Sequence, residues 1–124
     1  MAFTTAGSSF DTLVAVYTGA GVDGLNTITT NDDAVGNGGY GGFSFVTFDA
    51  TAGQEYSIAV DGYALGSGSV VLSWAKIPEN DKFADAQVIT RSSGSVAGNN
   101  LGASAEPGEP NHSGCEPSRS VWYV

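Results

Sequence analysis

Basic residues are scarce in this chain: four Lys and Arg stand against thirteen Asp and Glu, a net charge of −9 over 124 residues. Such a field repels phosphate backbones and draws in cations, so nucleic acid is not an expected partner. Cysteine is nearly missing. Cys115 stands alone, cannot close an internal disulfide, and leaves the redox compartment unassigned. No apolar run approaches the roughly 18 residues that a membrane span requires, so insertion into a membrane is not expected. The opening MAFTTAGSS lacks the basic and apolar regions of a signal peptide, so a leader for an exported parent would lie outside this chain. His112 is the one imidazole, and no GxSxG element accompanies it. A nucleophile, a base and an orienting group therefore have no visible meeting point, and nothing selects a pair among the carboxylates. An enzyme is not expected.

What is present reads as a folded all-β domain. Hydrophobic residues make up 41% of the chain, enough for a core, so the 18 glycines mark turns rather than low complexity. A domain of this length buries about two-thirds of the surface its unfolded chain exposes. LVAVY (13–17), LNTIT (25–29), FSFVTF (43–48), YSIAV (56–60) and SVVLSW (69–74) are β-branched and aromatic runs at short spacing, separated by Gly and Asn/Asp clusters. That texture predicts an antiparallel β-sandwich, jelly-roll-like. Tyr56, Ile58 and Val60 alternate with polar or small residues, as in a half-buried strand. DGYALGSG is expected to turn that strand back into a hairpin with SVVLSW, whose Val70, Leu72 and Trp74 share a face and whose Trp74 is expected in the core or at a seam.

Beyond Trp74 the texture changes. Pro78 precedes Asn80 and Asp81, either of which is placed to cap a short helical turn, and at most one such turn is expected, near residues 81–88. GSVAGNN (94–100) reads as a strand, and the Pro-rich stretch that follows as a long loop. The chain closes on SVWYV, an alternating apolar run where a frayed polar end is the norm.

Taken in order, GSSFDTLVAVYTG, NDD, AGQEYSIAVDGY, PENDKFADAQVI, GEPNHSG and SVWYV resemble the motifs of bacterial pre-peptidase C-terminal-like domains, over most of the chain. The resemblance implies a secreted or cell-surface β-sandwich, non-catalytic, often repeated in tandem and joined to peptidases or large surface proteins. Its segments stand here in rotated order. Residues 1–124 would then make a single sandwich, with 2–75 the back part of one module, 76–79 a connector and 80–124 the front part of the next. The front strands either close on the same chain or enter a neighbour's open sheet, and a head-to-tail donation of that kind propagates as a filament. Ser120, Val121, Trp122, Tyr123 and Val124 form the assembly strand. The expected partners are other copies of the chain or neighbouring domains of a surface protein. The function expected is structural association or spacing; a ligand-binding module for polysaccharide or protein substrate is the alternative.

Three residue groups are candidates for chemistry. Asp11, Asn31, Asp32 and Asp33 offer oxygen ligands suited to Ca²⁺ in a flexible loop. The same residues serve equally as turn formers, and no DxDxDG pattern raises the metal reading above that. Tyr40 and Tyr63, in glycine-rich loops, are aromatic rings able to stack on a sugar or pack on a partner, or to cover the ends of a core. Glu106, Glu109, His112, Cys115 and Glu116 form a second cluster, but one His and one Cys fall short of a zinc site's pair of pairs, so a solvated loop with a free thiol is expected.

Overall fold

The computed structural model describes residues 1–34, 42–115 and 119–124. They divide into two compact units, Met1–Trp74 and Ala75–Val124. The architecture is all-β.

In the first unit six strands form two sheets. They are β1 (Ala2–Thr4), β2 (Thr12–Thr18), β3 (Asn26–Asn31), β4 (Phe45–Thr47), β5 (Ser57–Gly62) and β6 (Ser73–Ala75), the last ending at the unit boundary. One sheet has the order β4-β1-β6 and the other β3-β2-β5. β2 is the central strand of its sheet and pairs antiparallel on both sides, with Val14 opposite Asn31 and Val60, and Val16 opposite Thr29 and Ile58. The β2–β3 register slips after Val16, so that Ile28 has no opposite residue and remains largely exposed. Period-two alternation sends Thr12, Val14 and Val16 inward. Val46 from the other sheet meets Val14 and Val16, and Phe3, Phe48, Tyr56, Ile58 and Val60 pack around the three. Phe48 lies between Phe3 and Tyr56, with ring centroids 6.0 and 4.9 Å away. A core fed by strands of both sheets is what makes this unit sandwich-like.

A buried polar knot sits beside that core. Thr5, Thr12 and Ser44 have no solvent exposure. The Thr5 and Thr12 hydroxyls bond to each other, and the Ser44 N–H donates to Thr5 Oγ1 at 2.7 Å. The Thr5 N–H donates back to the Ser44 carbonyl at 3.1 Å. The Ser44 hydroxyl lies within reach of the Thr12 and Asp32 carbonyls, and its one proton serves one of them at a time. The end of β1, the start of β2, the lead into β4 and the turn after β3 are thereby tied at one point.

Several expectations are corrected. β5 and β6 do not form a hairpin; they belong to different sheets. The Ser9 N–H donates to the Ser69 carbonyl, and Ser8 and Ser9 hydroxyls accept the N–H groups of Val71 and Ser69 at 2.9 Å. These bonds draw the chain after residue 68 toward the sheet that contains β1. Trp74 is 64% exposed rather than buried, and Val70 is exposed as well.

Three single 3-10 turns occur among the described residues where at most one helical turn was expected: Val22–Gly24, Tyr63–Leu65 and Phe83–Asp85. Only the last falls in the anticipated region, and neither Asn80 nor Asp81 caps it; the Glu106 carboxylate accepts the first N–H of the turn, that of Phe83. Asp81 instead accepts the backbone N–H of Ser104 at 2.6 Å and its hydroxyl at 3.0 Å, while Asn80 donates to the Trp122 carbonyl.

The second unit is built differently. GSVAGNN is irregular, not a strand. Its ladder is short and parallel: Gln87 pairs with Tyr123, the Gln87 N–H donating to Trp122 O and the Val124 N–H to Gln87 O, with Ile89 N–H bonded to Val124 O. Ala103 is its one fully buried apolar residue among those described.

Replacing Ser44 with Ala strips the knot of its bridging hydroxyl and removes the one side-chain donor that the Thr12 and Asp32 carbonyls share. The expected cost is about 1–3 kcal/mol in urea unfolding. A variant as stable as the parent would show that the knot carries no stability.

Candidate functional site

The acidic group comes together. Asp11 immediately precedes β2 and Asp32 and Asp33 immediately follow β3, and the antiparallel pairing of these strands brings both positions to one end of the sheet. One carboxylate oxygen from each of Asp11, Asp32 and Asp33 lies within 4.8 Å of the others. Ligand oxygens at about 2.3–2.6 Å from a Ca²⁺ are at most about 5 Å apart, so the spacing fits a shared ion. Asp11 Oδ1 is buried without a hydrogen-bond partner. Asp32 has its carboxyl pKa raised, first by desolvation, then by the charges of Asp33 and Asp11.

Asn31 plays another part. Its Oδ1 accepts the Phe45 N–H at 2.9 Å and its Nδ2 donates to the Asp33 carbonyl at 3.1 Å, so it ties the turn to β4 and shapes the triad from behind. The Ser44 hydroxyl holds the same turn through Asp32 O.

Tyr40 lies outside the described residues. Tyr63 is 54% exposed and opens a four-residue turn closed by the Gly66 N–H on the Tyr63 carbonyl at 2.8 Å. Ala64 and Leu65 have φ of 48° and 68°, the left-handed backbone for which a tight turn ordinarily uses Asn and Gly. A Cβ on Gly62 would run into the Gly66 carbonyl, so glycine is required at the entry. Leu65 is 98% exposed at the tip.

Ser120–Val124 is paired with its own unit. Ser120 is buried, Trp122 half-buried, and Tyr123 and Val124 exposed. Trp122 meets the rings of Phe83 and His112 edge-on, at 5.0 and 5.9 Å. Beneath His112 lies Glu109, whose side chain is 1% exposed and whose Oε1 is 3.4 Å from His112 Nε2. Glu109 Oε2 accepts the Glu106 N–H, and Glu106 accepts the Phe83 N–H. The Ser120 hydroxyl, the Glu106 N–H and the facing imidazole hold the Glu109 carboxyl below its ordinary range against the opposing effect of burial. His112 and Cys115 exchange backbone bonds across a two-residue turn, and the Cys115 thiol is free and exposed. Among the described residues the Asp triad is the group of three or more ligand-type side chains that converges; His112 and Cys115 belong to no such group. Glu116 lies outside the described residues.

Sequence reasoning missed the anchoring role of Glu109 and the display of Leu65. The alternation of GEPNHSG gives no sign that its second Glu turns inward, and only the Gly62 and Gly66 flanks hint at a tight turn around YAL.

Comparison with protein-family models, curated proteins and solved structures returned no match.

Because its folded-state pKa is raised, Asp32 subtracts stability as pH climbs from its ordinary value of 3.8 through the folded value. Asp32→Asn should therefore raise the melting temperature at pH 7, with the gain shrinking as pH falls below that window. A gain independent of pH would assign the effect to something other than carboxylate ionisation.

Proposed function

We propose that the chain is a non-catalytic extracellular module of the pre-peptidase C-terminal kind, whose role is association: it assembles or spaces surface proteins by completing unfinished sheets between copies or neighbouring domains. The observation that carries this reading is the parallel ladder of Ala75–Val124. Gln87 and Ile89 spend their N–H groups on Trp122 and Val124, so the backbone of Val88 faces the opposite edge, and that of Tyr123 likewise faces away. Val88, Ile89 and Val124 are 67%, 53% and 72% exposed. Parallel strands are ordinarily covered on both faces, and an open apolar edge is a template for another strand. A parallel bridge left open beside exposed apolar side chains supports reading this edge as an interface awaiting a partner.

A second, accessory reading is favoured by the unpartnered Asp11 oxygen. Ca²⁺ held by Asp11, Asp32 and Asp33 would relieve their repulsion and satisfy that atom, at the roughly 10⁻⁴–10⁻³ M affinity typical of extracellular modules.

For association, sedimentation velocity over a range of concentrations should show species that grow with concentration. Val88→Pro blocks the outward edge while leaving the donors of Gln87 and Ile89 in place, and should reduce that growth, as should removal of Ser120–Val124. A parent that stays monomeric throughout overturns the reading. For the metal, millimolar Ca²⁺ should raise the melting temperature, a chelator should reverse the rise, and Asp11→Asn should remove it; an equal rise in Asp11→Asn would dismiss the triad.

A further inference from the structure

The two units carry complementary features. The first displays the Tyr63–Leu65 knob: a fully exposed leucine beside a half-exposed tyrosine, on backbone that only a built turn sustains. Left-handed non-glycine residues cost of order 1–3 kcal/mol each and concentrate where a surface is used. The second contains an open groove of about 510 Å³, with Val88, Ile89, Val96 and Tyr123 supplying apolar walls and Arg91 a charge. Gly98 gives the Tyr123 ring its place, since a Cβ there would come within 2.8 Å of the hydroxyl.

Charge selects which surfaces meet. All four basic residues, Lys76, Lys82, Arg91 and Arg119, fall in Ala75–Val124, whereas Met1–Trp74 carries seven carboxylates and no Lys or Arg. Two first units facing each other would juxtapose only negative charge. A first unit facing a second unit brings exposed Asp61, two residues before Tyr63, to the groove that holds Arg91. An apolar knob on the first unit and an apolar groove on the second are unlike surfaces, so a contact between two copies pairs the first unit of one with the second unit of the other.

We propose that the Tyr63–Leu65 turn of one molecule seats in the Val88–Tyr123 groove of another, with Asp61 against Arg91, and that this contact drives self-association. This rests on the association reading above and names its surfaces and its partner, a second copy of the chain.

The decisive variant is Leu65→Asn. Asn tolerates left-handed backbone better than Leu, so the fold is kept and the melting temperature holds or rises while the knob is lost. Sedimentation equilibrium should show association weakened at least about tenfold, the loss expected when one buried leucine is removed. Arg91→Asp should weaken it too, and adding Asp61→Arg should restore it. Parent protein that remains monomeric at all concentrations overturns both this contact and the association reading. Parent protein that associates, with Leu65→Asn and Arg91→Asp associating equally well, overturns the knob-and-groove contact alone.

Discussion

The first unit depends on three hydroxyls with no access to water. Thr5, Thr12 and Ser44 satisfy one another at the place where both sheets begin, and a buried polar group left unpaired there would cost more than the bond returns. The requirement that all three be paired at once fixes the end of β1, the start of β2 and the approach to β4. It also reaches the surface features that matter. Ser44 holds the turn that carries Asp32, and Asn31 locks that turn to Phe45. Asp11, next to Thr12, accepts the Tyr63 N–H through its carbonyl and so anchors the turn that displays Leu65. Acidic triad and apolar knob are both outgrowths of one polar joint.

The second unit holds itself together by other means. It buries little apolar surface and relies on carboxylates: Asp81 on Ser104, Glu106 on Phe83, Glu109 on Glu106. Glu109 is the most demanding of these, because a carboxylate taken out of water needs donors: the Ser120 hydroxyl and the Glu106 N–H supply them, while Oε1, 3.4 Å from His112 Nε2, is buried without a hydrogen-bond partner. The same surroundings position Trp122, whose ring is met edge-on by both Phe83 and His112. A unit so lightly packed leaves its parallel ladder exposed on apolar side chains, which is the physical basis for reading it as an associating surface.

Legibility varied with the range of the interaction. β5 is visible as an alternating run because side-chain direction in a strand is a local property that YSIAV carries in its own residues, and β2 is visible as the continuous apolar run LVAVY. Asp11, Asn31, Asp32 and Asp33 are grouped from the sequence as possible oxygen ligands or turn formers; the pairing of β2 with β3 brings three of them, Asp11, Asp32 and Asp33, together. The hairpin between β5 and β6 was misread because the residues that redirect the chain, Ser8 and Ser9, lie some 60 positions earlier. Trp74 is expected in the core or at a seam from its strand position on a face shared with Val70 and Leu72, but periodicity shows which residues lie together and not whether the fold covers that face. Asp81 looked like a helix cap because capping is a local bond; Ser104, far along the chain, offered two donors instead of one.

By itself the sequence determined the class: all-β, acidic, with strand runs, turn clusters and an apolar final pentapeptide, all consequences of period-two patterning, backbone chemistry and composition. Tertiary structure decided which strands share a sheet, that Trp122–Val124 pairs in parallel with Gln87–Ile89, that Glu109 turns inward, and that Leu65 stands out in full. Those outcomes are settled by bonds and packing between residues distant in sequence. No local preference encodes them, because each depends on what the rest of the chain leaves unsatisfied.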